Sequence, residues 1–174
     1  ERGFKYLFMT ISPAEVYMEG LVDLAAERGL KTIAVINEDT LFSKAAAKGA
    51  IDLAKKKGMQ VLMHDAYPKG TTDFSGMLIR MKALKPDVIV GGSYFDDAVA
   101  TTRQMKELDF NPKMFGVTVG GDAPDFGKQL GKTADYVYGS TQWSDDVKYP
   151  GAKEFVENYK KMFNREFSYH APAA

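Results

Sequence analysis

Five short apolar segments, each separated from the next by a segment with helical spacing, constrain the fold of this chain most. They lie at residues 31–37, 59–65, 87–91, 113–118 and 136–141. Four helical crossovers in succession predict parallel strands, because a parallel pair needs a long crossover connection, usually a helix. The sequence therefore predicts an α/β fold with a doubly wound parallel sheet. Ligand sites in such sheets lie outside the carboxyl ends of the strands, so the candidate functional residues belong to the loops that follow these segments.

Composition narrows the class of partner. The 174 residues are 45% apolar, enough for one well-buried core. The 23 basic and 23 acidic residues cancel and form no block of one sign, which argues against nucleic acid or an anionic membrane surface and favours small neutral or zwitterionic partners. The absence of cysteine excludes disulfides, thiolate nucleophiles and cysteine-bound metals. Because the chain begins at Glu1 rather than at methionine, we expect it to be a piece of a longer protein.

Several helix boundaries carry acidic or hydroxyl side chains typical of caps. Thr72-Asp73 is predicted to cap the second crossover helix, and Asp96 or Asp97 the third. Glu38-Asp39 resembles a carboxylate pair, but its place after the first predicted strand favours capping or a favourable interaction with the helix dipole.

The two ends of the chain depart from the strand and helix alternation. Residues 5–11 are predicted to form a further strand, and residues 151–163 an amphipathic helix with no strand after it. An apolar helix face left in water is costly, so this helix is expected to dock on its own lobe or to pair with a second copy of the chain.

Motifs for catalysis, cofactors and metals are weak. The loop after the first predicted strand is acidic rather than glycine-rich, which argues against a phosphate-binding loop. The two histidines, His64 and His170, are far apart in sequence and are expected to be solvent-facing or packed rather than metal ligands. No nucleophile lies beside a base at the strand ends. The sequence therefore predicts no catalytic activity, no cofactor and no metal.

The order of several short motifs is more specific than any one of them. Thr-Ile-Ala-Val-Ile at 32–36, Asn-Glu-Asp-Thr-Leu-Phe at 37–42 and Thr-Asp-Phe-Ser at 72–75 are followed by Lys-Pro-Asp-Val-Ile at 85–89 and Arg-Gln-Met-Lys-Glu-Leu at 103–108. With Gly139 and Trp143 after them, this series closely resembles the type I periplasmic binding proteins of ABC transporters, the branched-chain amino acid and amide binders also described as extracellular ligand-binding receptors. The resemblance covers essentially the whole chain.

The resemblance implies a two-lobed architecture of which this chain holds one lobe, with a flavodoxin-like strand order of 2-1-3-4-5. On this comparison residues 1–143 form the second lobe, with an entering crossover strand at 5–11. Residues 144–174 form the return crossover and the amphipathic helix toward the first lobe. In the family the two lobes close on a small ligand.

The same comparison implies which residues contact the ligand. Phe42 lies on the first loop, and Ser93, Tyr94 and Phe95 lie on the third, where the family commonly uses an aromatic ring. Thr118 occupies the loop that carries an acid for the ligand ammonium group in branched-chain binders, and no acid stands there here. Trp143 lines the cleft or anchors the hinge. The missing acid leaves open a branched-chain amino acid, an amide or an aromatic acid as ligand.

We therefore expect a solute-binding component of an ABC transporter, periplasmic or extracellular, that acts with a transporter permease. Two alternatives stay open at this point. One is the ligand-sensing domain of a membrane receptor, which would need an attached membrane segment, and the other, less favoured, is a flavodoxin-like or hydrolase-like enzyme.

Overall fold

One parallel sheet organises the chain, of which the computed structural model describes residues 5–6, 8–144 and 146–173. Its strands are β1 (Thr32–Glu38), β2 (Gln60–Tyr67), β3 (Val88–Gly92), β4 (Met114–Val117) and β5 (Val137–Gly139). They are hydrogen-bonded in the order β2-β1-β3-β4-β5, and every neighbouring pair is parallel. The predicted fold class and strand order are confirmed.

Helices connect the strands. The α-helices are α1 (Glu19–Glu27), α2 (Leu41–Lys56), α3 (Ser75–Leu84), α4 (Phe95–Glu107), α5 (Pro124–Leu130), α6 (Ala152–Phe163) and α7 (His170–Ala173), with 3₁₀ turns at Ala14–Val16 and Gly131–Ala134. Among the residues that the structure describes, no helix has both the length and the apolar character needed to cross a bilayer.

The central strands of the sheet, β1, β3 and β4, are buried on both faces. Successive residues of β1 contribute to different clusters: Ile33 and Val35 pack with side chains from α1 and α2, whereas Ala34 and Ile36 pack with side chains from α3, α4 and α5. Strands covered on both sides are continuously apolar rather than alternating, which explains why these strands were visible in the sequence. The carboxyl-end loops are thereby supported by rigid elements on both sides of the sheet.

Small residues bring α2 close to its neighbours. Ala46, Ala47, Ala50 and Ala54 are buried on its inner face. A Cβ atom built at Gly49 would lie 1.9 Å from the carbonyl oxygen of Glu15, so the first 3₁₀ turn packs directly on the backbone of α2. This contact lies at the middle of α2, whose first turn carries the candidate residue Phe42.

Asp87 joins the beginning of β3 to the beginning of β1. Its Oδ2 accepts hydrogen bonds from the backbone N–H groups of Lys31 and Thr32 at 2.9 and 3.1 Å and from the Thr32 hydroxyl at 3.0 Å. The Lys113 ammonium lies 2.7 Å from Oδ1. This ion pair and the backbone donors hold the pKa of the Asp87 carboxyl well below its usual range.

The strand predicted over residues 5–11 does not form at the residues described there, 5–6 and 8–11, and residue 7 lies outside the described residues. Tyr6, Phe8 and Met9 are 88%, 81% and 70% exposed. A strand needs a neighbour to pair its backbone groups, and no pairing reaches this segment in the described part of the chain. The apolar run alone does not make a strand.

Contacts between Cα atoms divide the chain into two units. One comprises Ala14–Ser140 and contains the whole sheet, and the other comprises Glu1–Pro13 and Thr141–Ala174. The predicted division into residues 1–143 and 144–174 refers to a two-lobed protein and stays a prediction.

Candidate functional site

The candidate residues predicted on the first, third and fourth loops lie at one edge of the sheet, because the carboxyl ends of parallel strands meet there. Phe42 lies in the first turn of α2, after β1. Ser93 and Tyr94 follow β3, and Phe95 begins α4. Thr118 follows the last residue of β4.

Aromatic rings meet at this edge. The ring centroids of Phe42 and Tyr94 are 5.7 Å apart, with the rings inclined at 44°. Tyr17, which precedes α1, packs edge-on against Phe42 at 5.0 Å. Tyr94 remains 40% exposed, whereas Tyr17 is 9% exposed. The pair formed by Phe42 and Tyr94 therefore presents an aromatic surface toward solvent. The buried Tyr17 ring packs against Phe42 and restrains its position.

Ser93 and Thr118 join the loops after β3 and β4. The Thr118 hydroxyl oxygen accepts a hydrogen bond from the Ser93 N–H at 2.9 Å and donates one to the Ser93 carbonyl at 2.8 Å. Thr118 is fully buried and Ser93 is 2% exposed. Their side chains lie beneath the surface and hold the backbone that carries Tyr94.

The loop after β4 approaches the start of α4 closely. A Cβ atom at Gly120, where φ is +99°, would lie 2.8 Å from the Cα atom of Phe95. Phe95 itself is half-buried and packs on the cluster beneath α3, α4 and α5. Of the three aromatic or hydroxyl residues predicted on the third loop, Tyr94 is the one with the most exposed side chain.

The cap predicted for α4 is wrong. Tyr94 occupies the N-cap position, and Asp97 lies in the first turn, where its Oδ1 accepts a hydrogen bond from the Tyr94 N–H at 2.7 Å. Its Oδ2 accepts a 2.6 Å hydrogen bond from the Tyr67 hydroxyl. Burial, this hydrogen bond and the charges of Asp97 and Glu38 raise the pKa of Tyr67, so its hydroxyl stays protonated and remains a donor.

The cap predicted for α3 is displaced by one residue. Phe74 is at the N-cap position, and Asp73 before it accepts hydrogen bonds from the backbone N–H and the hydroxyl of Ser75 at 2.9 and 2.6 Å. Phe74 itself is buried, and its ring packs edge-on against Tyr67. Burial of this ring in the core fixes where the helix begins.

Glu38 does not cap α2, in contrast to the prediction. It is the last residue of β1, and Thr40 occupies the N-cap position of α2. Its neighbour Asp39 is exposed and forms an ion pair with Lys44. Glu38 is only 5% exposed, and its Oε2 is buried without a hydrogen-bond partner among the described residues.

A cavity of about 560 Å³ opens at the same edge of the sheet. Glu38 and Thr40 line it after β1, residues 69–72 after β2 and residues 94–97 after β3, with Val119 from the loop after β4. Tyr94 thus belongs both to the aromatic pair and to the wall of this cavity. The lining joins apolar rings to several oxygen atoms, a combination typical of small-molecule sites.

Trp143 lies in the other unit of the chain. Its ring packs edge-on against Phe155 at 5.7 Å and against Phe167 at 5.0 Å. Phe155 belongs to α6, whose Ala152 and Val156 are buried while Met162 and Phe163 are 74% and 51% exposed. A role of Trp143 in a ligand cleft stays a prediction.

The histidines take separate positions. His64 is exposed on β2, with its Nε2 2.8 Å from the side-chain oxygen of Asn37, and His170 stacks on Tyr169. Across residues 5–6, 8–144 and 146–173 no group of three or more histidine or acidic side chains is arranged to hold a metal ion.

Sequence reasoning missed three contributors to this region. Tyr17 carried no signal, because its contact with Phe42 depends on how the first turn packs on α2. Tyr67 is the last residue of β2 but lies beyond the predicted strand, 59–65, and no sequence feature singled it out. Glu38 is predicted to cap a helix or interact with its dipole, and the sequence does not show that it is buried while Asp39 is exposed and pairs with Lys44.

Comparisons with known proteins agree with this architecture. A family profile described as "Periplasmic binding protein" matches residues 1–174. A curated relative, Leu/Ile/Val-binding protein homolog 7 of Brucella abortus, is 32% identical over an alignment of 142 residues that covers 75% of this chain and 34% of that protein. Homolog 8 of the same organism is 28% identical over 95% of this chain and 44% of the relative. The chain therefore spans less than half the length of these curated relatives.

Solved structures share the fold. A leucine-binding protein from Thermotoga maritima superposes with a TM-score of 0.83 at 22% identity, over 97% of this chain and 48% of that protein. A leucine-, isoleucine-, valine-, threonine- and alanine-binding protein from Brucella ovis in its closed conformation superposes with a TM-score of 0.83 at 19% identity, over 97% of this chain and 44% of that protein. At these low sequence identities the similarity shows a shared fold.

Proposed function

Because this chain belongs to the periplasmic binding protein family, we propose that it forms one lobe of the solute-binding component of an ABC transporter for amino acids or related small molecules. The lobe binds and does not catalyse. The lengths of the curated relatives support a second lobe that completes the cleft, and closure of the lobes about a hinge would bury the solute.

The observation that carries the proposal is the aromatic pair Phe42 and Tyr94 at the carboxyl edge of the sheet. Aromatic rings supply large contact area at a small cost in side-chain entropy, and they recur in small-molecule sites for this reason. The buried bonds between Ser93 and Thr118 pre-organise the loop that carries Tyr94, so little order has to be created on binding. A branched-chain amino acid, an amide or an aromatic acid fits such a surface.

The proposal extends to location and partners. The family supports a periplasmic location for the whole protein and a transporter permease as the recipient of the solute.

The exposed Met162 and Phe163 of α6 support the prediction that this chain pairs with a second copy when studied alone. Sedimentation of this chain should then give a dimer that Met162→Lys converts to monomer; a monomeric wild-type chain would refute the pairing.

A thermal-shift screen of the full-length protein tests the proposal. Amino acids, amides and aromatic acids are added in separate wells. A solute that binds the folded protein increases the free energy of unfolding by about 2.7 kcal/mol at one hundred times its Kd, and the unfolding midpoint rises with its concentration. We expect at least one of these classes to raise the midpoint. The absence of any concentration-dependent shift across all three classes would contradict the proposed function.

A further inference from the structure

We propose that another cavity, in the unit that contains the sheet, binds a small carboxylate with an apolar body. This cavity has a volume of about 310 Å³ and lies at the amino edge of the sheet, between the end of α4 and the residues that lead into β4 and β5. The aromatic pair Phe42 and Tyr94 lies at the opposite, carboxyl edge. The amino-edge cavity therefore goes beyond the proposed function and does not depend on it.

Lysines determine the charge of the amino-edge cavity. Lys106, Lys113 and Lys132 share its lining with one acidic residue among the described ones, Asp135. Lys113 is paired with Asp87. Lys106 and Lys132 are exposed, and neither forms an ion pair within 4.0 Å in the part of the chain that the structure describes. Two ammonium groups are thus available to an anion, and a charge-assisted hydrogen bond is about twice as strong as a neutral one.

The rest of the lining combines buried apolar side chains with hydrogen-bond donors. Met105, Phe110 and Phe115 line the cavity and are 4%, 8% and 7% exposed. Thr133 and Asn111 belong to the same lining, and their side chains carry a hydroxyl and an amide donor. A carboxylate accepts hydrogen bonds and donates none, so it matches these donors and the two lysines. The apolar side chains favour a carboxylate with an apolar body over a small inorganic anion.

Tyr136 has a backbone conformation that favours glycine. Its φ is +67°, and Asp135 before it has a φ of −60° and a ψ of 134°. These are the values of a type II turn, in which glycine or asparagine usually takes the position of Tyr136. The Tyr136 ring is 95% exposed, so its packing does not offset the strain of this turn. Strained residues cluster at ligand sites, and Tyr136 lines the cavity, where its ring can cover the apolar body of a bound carboxylate.

A methyl NMR titration of the full-length protein tests this assignment. The methionine methyl groups are labelled with carbon-13, and the Met105 resonance is identified with the variant Met105→Leu. Benzoate is the carboxylate probe, and benzylamine, which shares the phenyl ring and is a cation at neutral pH, is its control. We expect benzoate to shift the Met105 resonance with a Kd in the millimolar range or tighter, and benzylamine to leave it in place. The resonance of Met63, on β2 at the other side of the sheet, should not move with either probe.

Two matched substitutions test the charge. The double variant Lys106→Gln and Lys132→Gln removes both lysine charges from the lining. Lys55→Gln removes the charge of an exposed lysine in the last turn of α2, outside the lining. We expect the double variant to weaken benzoate binding at least about fivefold and Lys55→Gln to change it less than about twofold. Because all three side chains are exposed, the unfolding midpoints without benzoate should match that of the wild type.

Tyr136→Gly separates a role in binding from a role in folding. Glycine adopts the conformation of this turn without strain, so the variant should raise the unfolding midpoint while it weakens benzoate binding at least about threefold. The assignment is overturned if benzoate does not shift the Met105 resonance, if benzylamine shifts it equally, or if the lysine double variant loses less than about fivefold in affinity. Benzoate binding that Tyr94→Ala weakens and the lysine double variant does not would place the probe at the carboxyl edge and overturn it as well.

Discussion

The Thr118 side chain bridges two loops by bonding both backbone groups of Ser93, accepting from its N–H at 2.9 Å and donating to its carbonyl at 2.8 Å. The next residue, Tyr94, carries the exposed ring of the aromatic pair. The position of that ring therefore depends on a hydroxyl that is itself fully buried.

Replacing Thr118 with valine keeps the volume of the side chain and removes both hydrogen bonds. It leaves the Ser93 N–H without its buried partner, and we expect the free energy of unfolding to fall by about 1–3 kcal/mol. Chemical denaturation measured by circular dichroism checks the value.

Thr101 offers a matched control on α4. It is also buried, but its Oγ1 has no hydrogen-bond partner among the described residues. Thr101→Val should therefore leave stability unchanged or raise it by up to about 1 kcal/mol. An equal loss in the free energy of unfolding in Thr118→Val and Thr101→Val would mean that the hydrogen bonds between Thr118 and Ser93 do not stabilise the fold.

Gly49→Ala should destabilise the chain although alanine is the better helix former. The added Cβ would lie 1.9 Å from the backbone oxygen of Glu15, which has to move away. We expect a loss of about 1–3 kcal/mol, the usual range for overpacking. In Gly76→Ala the new Cβ meets nothing within 4 Å, and there alanine should be neutral or stabilise α3 by up to about 1 kcal/mol. Urea unfolding of both variants decides this, and a stabilising Gly49→Ala would refute the close packing of the first turn on α2.

Asp87 should make the fold sensitive to acid. Its pKa is lower in the folded chain than in the unfolded one, so the unfolded chain takes up the proton first as the pH falls. The stability that Asp87 contributes is fully present above its ordinary pKa of about 3.9 and is lost as the pH falls through the lower, folded value. Asp87→Asn should cost about 1–2 kcal/mol at pH 7 and flatten the loss of stability below pH 4.

The control for this pH dependence is Asp52→Asn, which removes an exposed carboxylate paired with Lys48 on α2. Exposed pairs of this kind contribute about 0–1 kcal/mol. Urea midpoints measured from pH 7 to pH 2 should therefore follow the wild type in Asp52→Asn and diverge from it in Asp87→Asn. Parallel curves for all three proteins would contradict the role given to Asp87.

All five strands were predicted to within two residues at each end, and the central strands β1, β3 and β4 were visible in the sequence because both of their faces are buried. Ile33, Ala34, Val35 and Ile36 all lie in the core, so β1 is one continuous apolar run. The same kind of run at residues 5–11 misled the prediction, since an apolar run does not reveal whether a neighbouring strand exists. β5 is also shorter than predicted, 137–139 against 136–141, and among the described residues it pairs with the four-residue β4 alone.

The candidate site was predictable only in outline. The resemblance placed Phe42 and Tyr94 on adjacent loops, and the structure brings their rings together. The role of Asp97 depends on a partner far away in sequence, because it accepts a hydrogen bond from Tyr67, 30 residues before it. Glu38 is buried, whereas its neighbour Asp39 is exposed and pairs with Lys44. Local sequence favours capping for all such acids, so tertiary contacts had to decide.

The most direct test of the proposed binding lobe is calorimetric titration of the full-length protein with the solute that raises its unfolding midpoint most. The wild type is compared with Phe42→Ala, Tyr94→Ala and Tyr94→Phe, the last of which keeps the ring. We predict that each alanine variant weakens binding at least tenfold, about 1.4 kcal/mol, and that Tyr94→Phe stays within about threefold of the wild type. A Kd within twofold of the wild type in both alanine variants would contradict the claim that this aromatic pair binds the solute.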